Sequence, residues 1–269
     1  MVSFPPCKIN LGLNILNKRP DGYHNLETCF YPIPWTDILE IIPADTLAFS
    51  ASGNSIPGRE DENLCLKAYN LLHTEYKVPP VKIHLHKVIP MGAGLGGGSS
   101  DAAHTLRLLN SIFQLNISAE KLMHYASVLG SDCAFFIQDK PMFGAGRGDE
   151  LMAIDISLKG KFLVLIKPDV HVSTADAYAN VSPNQPEVSL QNTLMTNPIS
   201  RWKDIVKNDF EESVFKKYPE IQSIKEKMYS LGAVYASMSG SGSSVYALFD
   251  SPVLSENFSG LTNWSGVLS

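Results

Sequence analysis

One stretch constrains this chain more than any other: Pro90-Met-Gly-Ala-Gly-Leu-Gly-Gly-Gly-Ser-Ser-Asp-Ala-Ala103. Before it, Val81, Ile83 and Leu85 alternate with Lys82, His84 and His86, which predicts a strand. After it, Ala102, Leu106, Leu109 and Phe113 form one apolar stripe, which predicts a helix. Five glycines lie between Gly92 and Gly98. Glycine is costly to order at a helix start, so a plain linker explains them poorly. Without Cβ atoms in the way, successive backbone N–H groups can converge on one point. The helix N-terminus adds unsatisfied N–H groups and the positive end of its dipole. The segment therefore suits a multiply charged anion such as a di- or triphosphate. Gly92, Gly94 and Gly97 satisfy G-x-G-x-x-G. The acidic partner of a dinucleotide fingerprint should end a second strand about 20 residues on. The nearest candidate, Glu120, falls in a helical pattern instead. No Gly-Lys-Ser/Thr is present, which excludes a Walker A loop.

The remaining chain narrows the partners. Its 269 residues carry a formal net charge of −5, which argues against nucleic acid as a partner. No apolar run of about 18 residues could span a bilayer, and no segment reads as a signal peptide, so we expect neither membrane nor secretion. Cys7, Cys29, Cys65 and Cys133 form no C-x-x-C pair and read as free thiols of a cytoplasmic protein.

Strand periodicity appears at Lys8–Ile15, with Ile9, Leu11, Leu13 and Ile15 on one face, and ends in the turn signal Lys18-Arg19-Pro20-Asp21-Gly22. Further strands are expected near 27–32, 38–42 and 162–166, and a hairpin pairs 234–238 with 245–249 around Ser239-Gly-Ser-Gly-Ser243. Helices are expected at 63–76, after a Ser118 cap, near Trp202 and near Pro219. The Pro/Asn/Gln/Ser-rich stretch from Ser182 to Arg201 reads as a surface loop. Strands and helices intermix without a regular βαβ rhythm, which predicts an α+β fold with a boundary near residue 155.

At Pro90, Gly94, Leu95, Gly96, Ser99, Ser100 and Ala102 the sequence resembles the second motif of the GHMP kinase superfamily. Within it, the chain most resembles the 4-diphosphocytidyl-2-C-methyl-D-erythritol kinase family. Lys8-Ile-Asn-Leu11, Lys18-Arg-Pro-Asp-Gly-Tyr-His24, Gly130-Ser-Asp132 with Phe135-Phe136, and Ser239–Ser243 match further blocks in order. One departure is Cys7, where the family pattern has a small alanine; a thiol of similar size is harmless there. The resemblance implies a two-lobed fold around a central cleft, with a ribosomal S5-like nucleotide-binding domain at 1–155 and a ferredoxin-like domain at 156–269. It implies transfer of the γ-phosphoryl group of ATP, with Mg²⁺, to the 2-hydroxyl of the cytidine-diphosphate-linked methylerythritol of non-mevalonate isoprenoid synthesis.

The same resemblance implies the site. Lys8 and Asp132 become the catalytic pair. Pro90, Gly92, Gly94, Leu95, Gly96, Gly97, Gly98, Ser99 and Ser100 hold ATP, with Asn63 on the adenine side, although an Asn before an apolar run is also a normal helix cap. Asn10, Tyr23, His24, Thr174 and Tyr178 become substrate-side residues: His24 hydrogen-bonds the cytosine, Tyr23 stacks on it and Tyr178 completes an aromatic sandwich. No protein ligand is assigned to Mg²⁺, which stays mostly on phosphates and water. A monomer or a homodimer is compatible with these expectations. Two alternatives stay open at this point: a GHMP kinase for another small alcohol, and a non-catalytic nucleotide-binding sensor on the same fold.

Overall fold

The computed structural model describes every residue except Asn180 and Ser269, and for Ser255 the backbone alone. In chain order the strands are β1 (Val2–Ser3), β2 (Pro6–Lys18), β3 (His24–Thr36), β4 (Ile38–Pro43), β5 (Ala48–Gly53), β6 (Val81–Lys87), β7 (Met142–Ala145), β8 (Glu150–Ala153), β9 (Phe162–Lys167), β10 (Tyr235–Met238), β11 (Val245–Phe249) and β12 (Thr262–Val267). The helices are α1 (Leu64–Tyr76), α2 (Gly97–Ile112), α3 (Ala119–Leu129), α4 (Phe135–Gln138), α5 (Thr174–Tyr178), α6 (Leu190–Thr196), α7 (Ile199–Ile205), α8 (Phe210–Lys217) and α9 (Pro219–Ser230). Contacts group the residues into two compact units. One holds Met1–Lys8, Pro32–Met91 and Gly96–Lys140; the other holds Ile9–Tyr31, Gly92–Leu95 and Pro141–Ser269.

In the first unit the sheet order is β1-β4-β6-β5. Alternation decides which face of β6 is buried: Val81, Ile83 and Leu85 point inward, and Leu39 and Ile41 of antiparallel β4 lie opposite Leu85 and Ile83. Lys87 continues the inward register and is itself buried. β5 runs parallel to β6, so the chain between them, α1 included, forms one βαβ unit. Helices α1 and α2 pack on each other. Asn63 caps α1 by accepting from the Cys65 amide at 2.8 Å, and Ser118 caps α3 by accepting from the Lys121 amide at 3.3 Å. The expected stripe of α2 is buried at Ala102, Leu106 and Leu109.

In the second unit β10-β11-β9-β12 form an antiparallel sheet, with Val164 of β9 opposite Ala247 of β11 and Ser265 of β12. Its core joins Val164, Ile166, Ala236, Val245, Ala247 and Phe249 to Ile221, Ile224 and Met228 of α9. The third sheet, β2-β3-β7-β8, contains two long strands whose residues are divided between the units.

The loop expected at Ser182–Arg201 needs correcting, because α6 and the start of α7 fall inside it. Each helix has only seven residues, too short for a periodic stripe to stand out in sequence. Ser189 caps α6 by accepting from the Asn192 amide, and Leu190, Leu194 and Trp202 are buried. The strands β1, β5, β7, β8 and β12 and the helices α4 and α8 have no counterpart among the sequence expectations either.

Gly12 shows what the two short helices do for β2. Its φ is +72°, and a Cβ there would stand 2.7 Å from Leu190 Cδ1 and 2.9 Å from Val206 Cγ1. Gly12→Ala therefore adds both backbone strain and overpacking, and should lower unfolding free energy by about 1–3 kcal/mol. Urea unfolding of the two proteins measures the difference.

Candidate active site

The first unit brings Lys8, the start of α2 and Asp132 together. Lys8 sits on β2 and is buried, while Asp132 lies in the turn after α3 and keeps partial exposure. Lys8 Nζ is 3.4 Å from Asp132 Oδ2. The turn is closed by the Cys133 amide donating to the Gly130 carbonyl at 3.1 Å. Gly96 precedes α2 with φ +69°, and a Cβ there would crowd Lys8 Cε at 3.2 Å and the Phe136 ring at 3.0 Å. An ammonium, a carboxylate and a helix N-terminus therefore share one neighbourhood. The ammonium and the helix end favour an anion, and the carboxylate can accept a proton.

Ser100 stands in the first turn of α2. Its Oγ is buried and has no hydrogen-bond partner among the described residues, although a buried hydroxyl is costly to leave unpaired. Beside this helix end, a cleft of about 420 Å³ is lined by Phe49–Gly53 of β5, the 54–60 segment, Asn63, Leu64, Met91 and Gly98. Asn63 thus both caps α1 and lines this cleft.

The second unit holds the middle of the glycine segment, residues 92–95. The Ala93 carbonyl accepts from the Ser244 amide at 3.2 Å, and the Gly94 carbonyl from Ser239 Oγ at 2.9 Å. A Cβ on Gly94 would stand 2.1 Å from the Ser239 carbonyl oxygen, so only glycine fits there. The Ser/Gly hairpin tip is thereby packed and bonded, with Asn208 Nδ2 donating to the Met238 and Gly240 carbonyls at 2.8 Å each.

The substrate-side candidates are also in the second unit. Asn10 is buried; its Nδ2 donates to Thr28 Oγ1 at 2.9 Å and its carbonyl accepts from the Tyr246 hydroxyl at 2.7 Å. His24 and Tyr178 stack with ring centroids 5.0 Å apart and planes inclined by 21°, and the edge of Tyr178 meets Phe210. Tyr23 is exposed, with the Arg147 guanidinium 5.2 Å above its ring. Thr174 opens α5 and is exposed. Arg147 escaped the sequence reading, and so did Asp37, Lys87 and Asp101, which form a buried ion cluster in the first unit. The signal for the cluster was present: Lys87 falls in register with Val81, Ile83 and Leu85, where an apolar residue belongs.

Comparison with known proteins shows the family. The description "GHMP kinases N terminal domain" matches residues 63–140, and "GHMP kinases C terminal" matches residues 193–259. This chain belongs to the GHMP kinases and is a small-molecule kinase. It is 54% identical over 251 residues to the 4-diphosphocytidyl-2-C-methyl-D-erythritol kinase of Cytophaga hutchinsonii, covering 93% of each chain. It is 55% identical over 253 residues to the kinase of the same name from Bacteroides fragilis, covering 93% of this chain and 92% of that one. A solved 4-(cytidine 5'-diphospho)-2C-methyl-D-erythritol kinase superposes with a TM-score of 0.82 at 30% identity, covering 99% of this chain and 98% of the other. A homoserine kinase from Cytophaga hutchinsonii gives 0.65 at 18% identity, which shows the fold alone. Among the described residues no helix is long and apolar enough to cross a membrane.

All four cysteines are free and buried. Burial pushes the Cys7 and Cys29 thiols up to about 12 and Cys133, next to Asp132, up to about 11; Cys65 is raised as well. A raised value means less thiolate at a given pH, so at pH 8 even Cys133 is ionised in only about one molecule in a thousand. A thiol-specific chromogenic reagent should leave all four unlabelled in the folded enzyme at pH 8 and label four on unfolding.

Proposed function

We propose that this kinase transfers the γ-phosphoryl group of ATP to the 2-hydroxyl of 4-diphosphocytidyl-2-C-methyl-D-erythritol, a step of non-mevalonate isoprenoid precursor synthesis. The observation that carries the chemistry is the 3.4 Å approach of Lys8 Nζ to Asp132 Oδ2 beside the N-terminus of α2. The acceptor is supported by relatives at 54–55% identity that bear that substrate in their name.

Phosphoryl transfer asks a protein for positioning and charge neutralisation more than for covalent chemistry. In this reading Asp132 orients the acceptor hydroxyl and takes its proton as the oxygen attacks the γ-phosphorus. Lys8 helps to position that hydroxyl and offsets negative charge gathering on the transferring group. Amides of the Pro90–Ser100 segment and the unpaired Ser100 hydroxyl donate to phosphate oxygens. The cleft lined by Asn63 and Met91 takes the adenosine end. Mg²⁺ would accompany the nucleotide and supply charge neutralisation, with no side chain of this chain assigned to hold it. Among the described residues no group of three or more His, Cys, Asp or Glu comes together to cage it.

For the acceptor, His24 would hydrogen-bond the cytosine, Tyr23 and Tyr178 would supply ring faces, and Asn10 and Thr174 would contact the rest of the molecule. On the same reading residues 1–155 form the nucleotide-binding domain and 156–269 the substrate-side domain of a cytoplasmic monomer or homodimer.

An ADP-release assay offering 4-diphosphocytidyl-2-C-methyl-D-erythritol and mevalonate in parallel tests the acceptor. Turnover with the first alone is expected; turnover with mevalonate alone overturns the assignment. Asp132→Asn should stay folded while kcat falls by about 10²–10⁴-fold, the range for losing a general base. His24→Ala should raise KM for the cytidine substrate by about tenfold or more, the loss of one or two hydrogen bonds, with KM for ATP unchanged. Initial-rate kinetics with each substrate varied in turn read both.

A further inference from the structure

Lys87 ends β6 just before the glycine segment, and its ammonium has no access to water. It lies between two carboxylates: Asp37, in the one-residue step from β3 to β4, and Asp101, at the fifth residue of α2. The Asp101 contact is 2.7 Å. Asp37 uses its other oxygen to accept from the Val88 and Ile89 amides at 2.6 and 2.8 Å. The first two amides of the segment that leaves β6 are therefore gripped by one carboxylate, and the helix that the segment enters is gripped by the other. Lys87 also abuts the first residue of α2, since a Cβ on Gly97 would stand 2.9 Å from Nζ. Burial works against the Lys87 charge, but Asp101 and Asp37 outweigh it and raise the ammonium above the usual lysine value.

We propose that Asp37, Lys87 and Asp101 are positioning residues for the nucleotide: as one ionic brace they fix the distance between the end of β6 and the first turn of α2, and so the convergence of the loop amides on the ATP phosphates. This rests on the reading of the glycine segment as the phosphate cradle. Asp101 also lines the cleft given to the adenosine end, whereas Asp37 and Lys87 do not, so Lys87→Met reads the brace apart from any contact with the nucleotide.

Asp101→Asn tests it with little change of shape, because asparagine keeps an oxygen to accept from Lys87, while the charge is lost and an NH2 group takes the place of Oδ1, which has no hydrogen-bond partner among the described residues. In the full-length enzyme with Mg²⁺, the Kd for the non-hydrolysable analogue AMP-PNP, read by calorimetry at pH 8, should rise about tenfold, as expected for mispositioned donors. KM for the alcohol acceptor should stay within about twofold, since the brace acts on the nucleotide side only. The pH dependence sharpens the test. Burial pushes the Asp101 carboxyl up to about 7, with Asp37 adding to this and Lys87 opposing it; Cys65 of α1 is the other titratable group nearby. As pH falls through about 7, Asp101 takes up a proton and the wild type comes to resemble the variant. The ratio of the two AMP-PNP dissociation constants, in which titration of the nucleotide itself cancels, should therefore shrink toward one at acid pH.

A ratio that does not change with pH, or an equal rise in KM for both substrates, overturns the brace and leaves the cluster a packing feature. Lys87→Met should weaken AMP-PNP binding more strongly. Should it fail to fold, the Asp101→Asn arms still decide. The proposed function is tested separately, because AMP-PNP binding needs no acceptor. A wild type that binds AMP-PNP but leaves the cytidine alcohol unphosphorylated overturns the acceptor alone, and one that binds no AMP-PNP overturns the cradle.

Discussion

A lysine shut away from water must be matched by carboxylates, and this requirement organises the first unit. Lys87 dictates where Asp37 and Asp101 stand, and through them how β6, the β3–β4 step and the start of α2 are joined. Leaving such a charge unpaired costs about 3–5 kcal/mol, a large share of the stability of an ordinary domain. The reverse comparison is less favourable to the cluster, because a well-packed apolar replacement is often as stable. What the ion cluster gives that leucines would not is direction: both Asp37 oxygens and Asp101 Oδ2 accept from named donors, whereas apolar contacts tolerate sliding.

The glycines around it are best understood through the atoms they let in. At Gly94 the visitor is the Ser239 carbonyl, at Gly96 the Lys8 side chain and the Phe136 ring, and at Gly97 the Lys87 ammonium. Gly94 and Gly96 also take positive φ values, +76° and +69°. A segment that reads as flexible by composition is thus crowded at nearly every step. Fixed donors are what a phosphate site needs, since amides that had to reorganise during transfer would lose much of their effect.

Much of this was legible in the sequence where a local rule acts alone. The caps at Asn63 and Ser118 follow from one side chain and one amide. The hairpin around Ser239–Ser243 and the helix after the glycines follow from period and composition. Lys8 and Asp132 could be named by resemblance, but their 3.4 Å approach depends on distant segments of the chain and no local pattern predicts it. The helices α6 and α7 were hidden because seven residues hold barely one repeat of the apolar stripe, and the surrounding Pro, Asn and Ser read as loop. Lys87 was passed over for the opposite reason. It is a charged residue on a strand with a polar face, and only counting it into the register of Val81, Ile83 and Leu85 reveals that it points the other way.

The stacked pair of His24 and Tyr178 carries a thermodynamic consequence. Their centroids are 5.0 Å apart, whereas a flat ring lying between them would need about 7 Å, two carbon-contact layers of ~3.5 Å each. The pair as it stands is therefore a self-filled aromatic surface and not an open slot: a ring stacking on the covered face of Tyr178 would first have to part it from His24, and the net gain would be the difference between the new stacking and the contact given up.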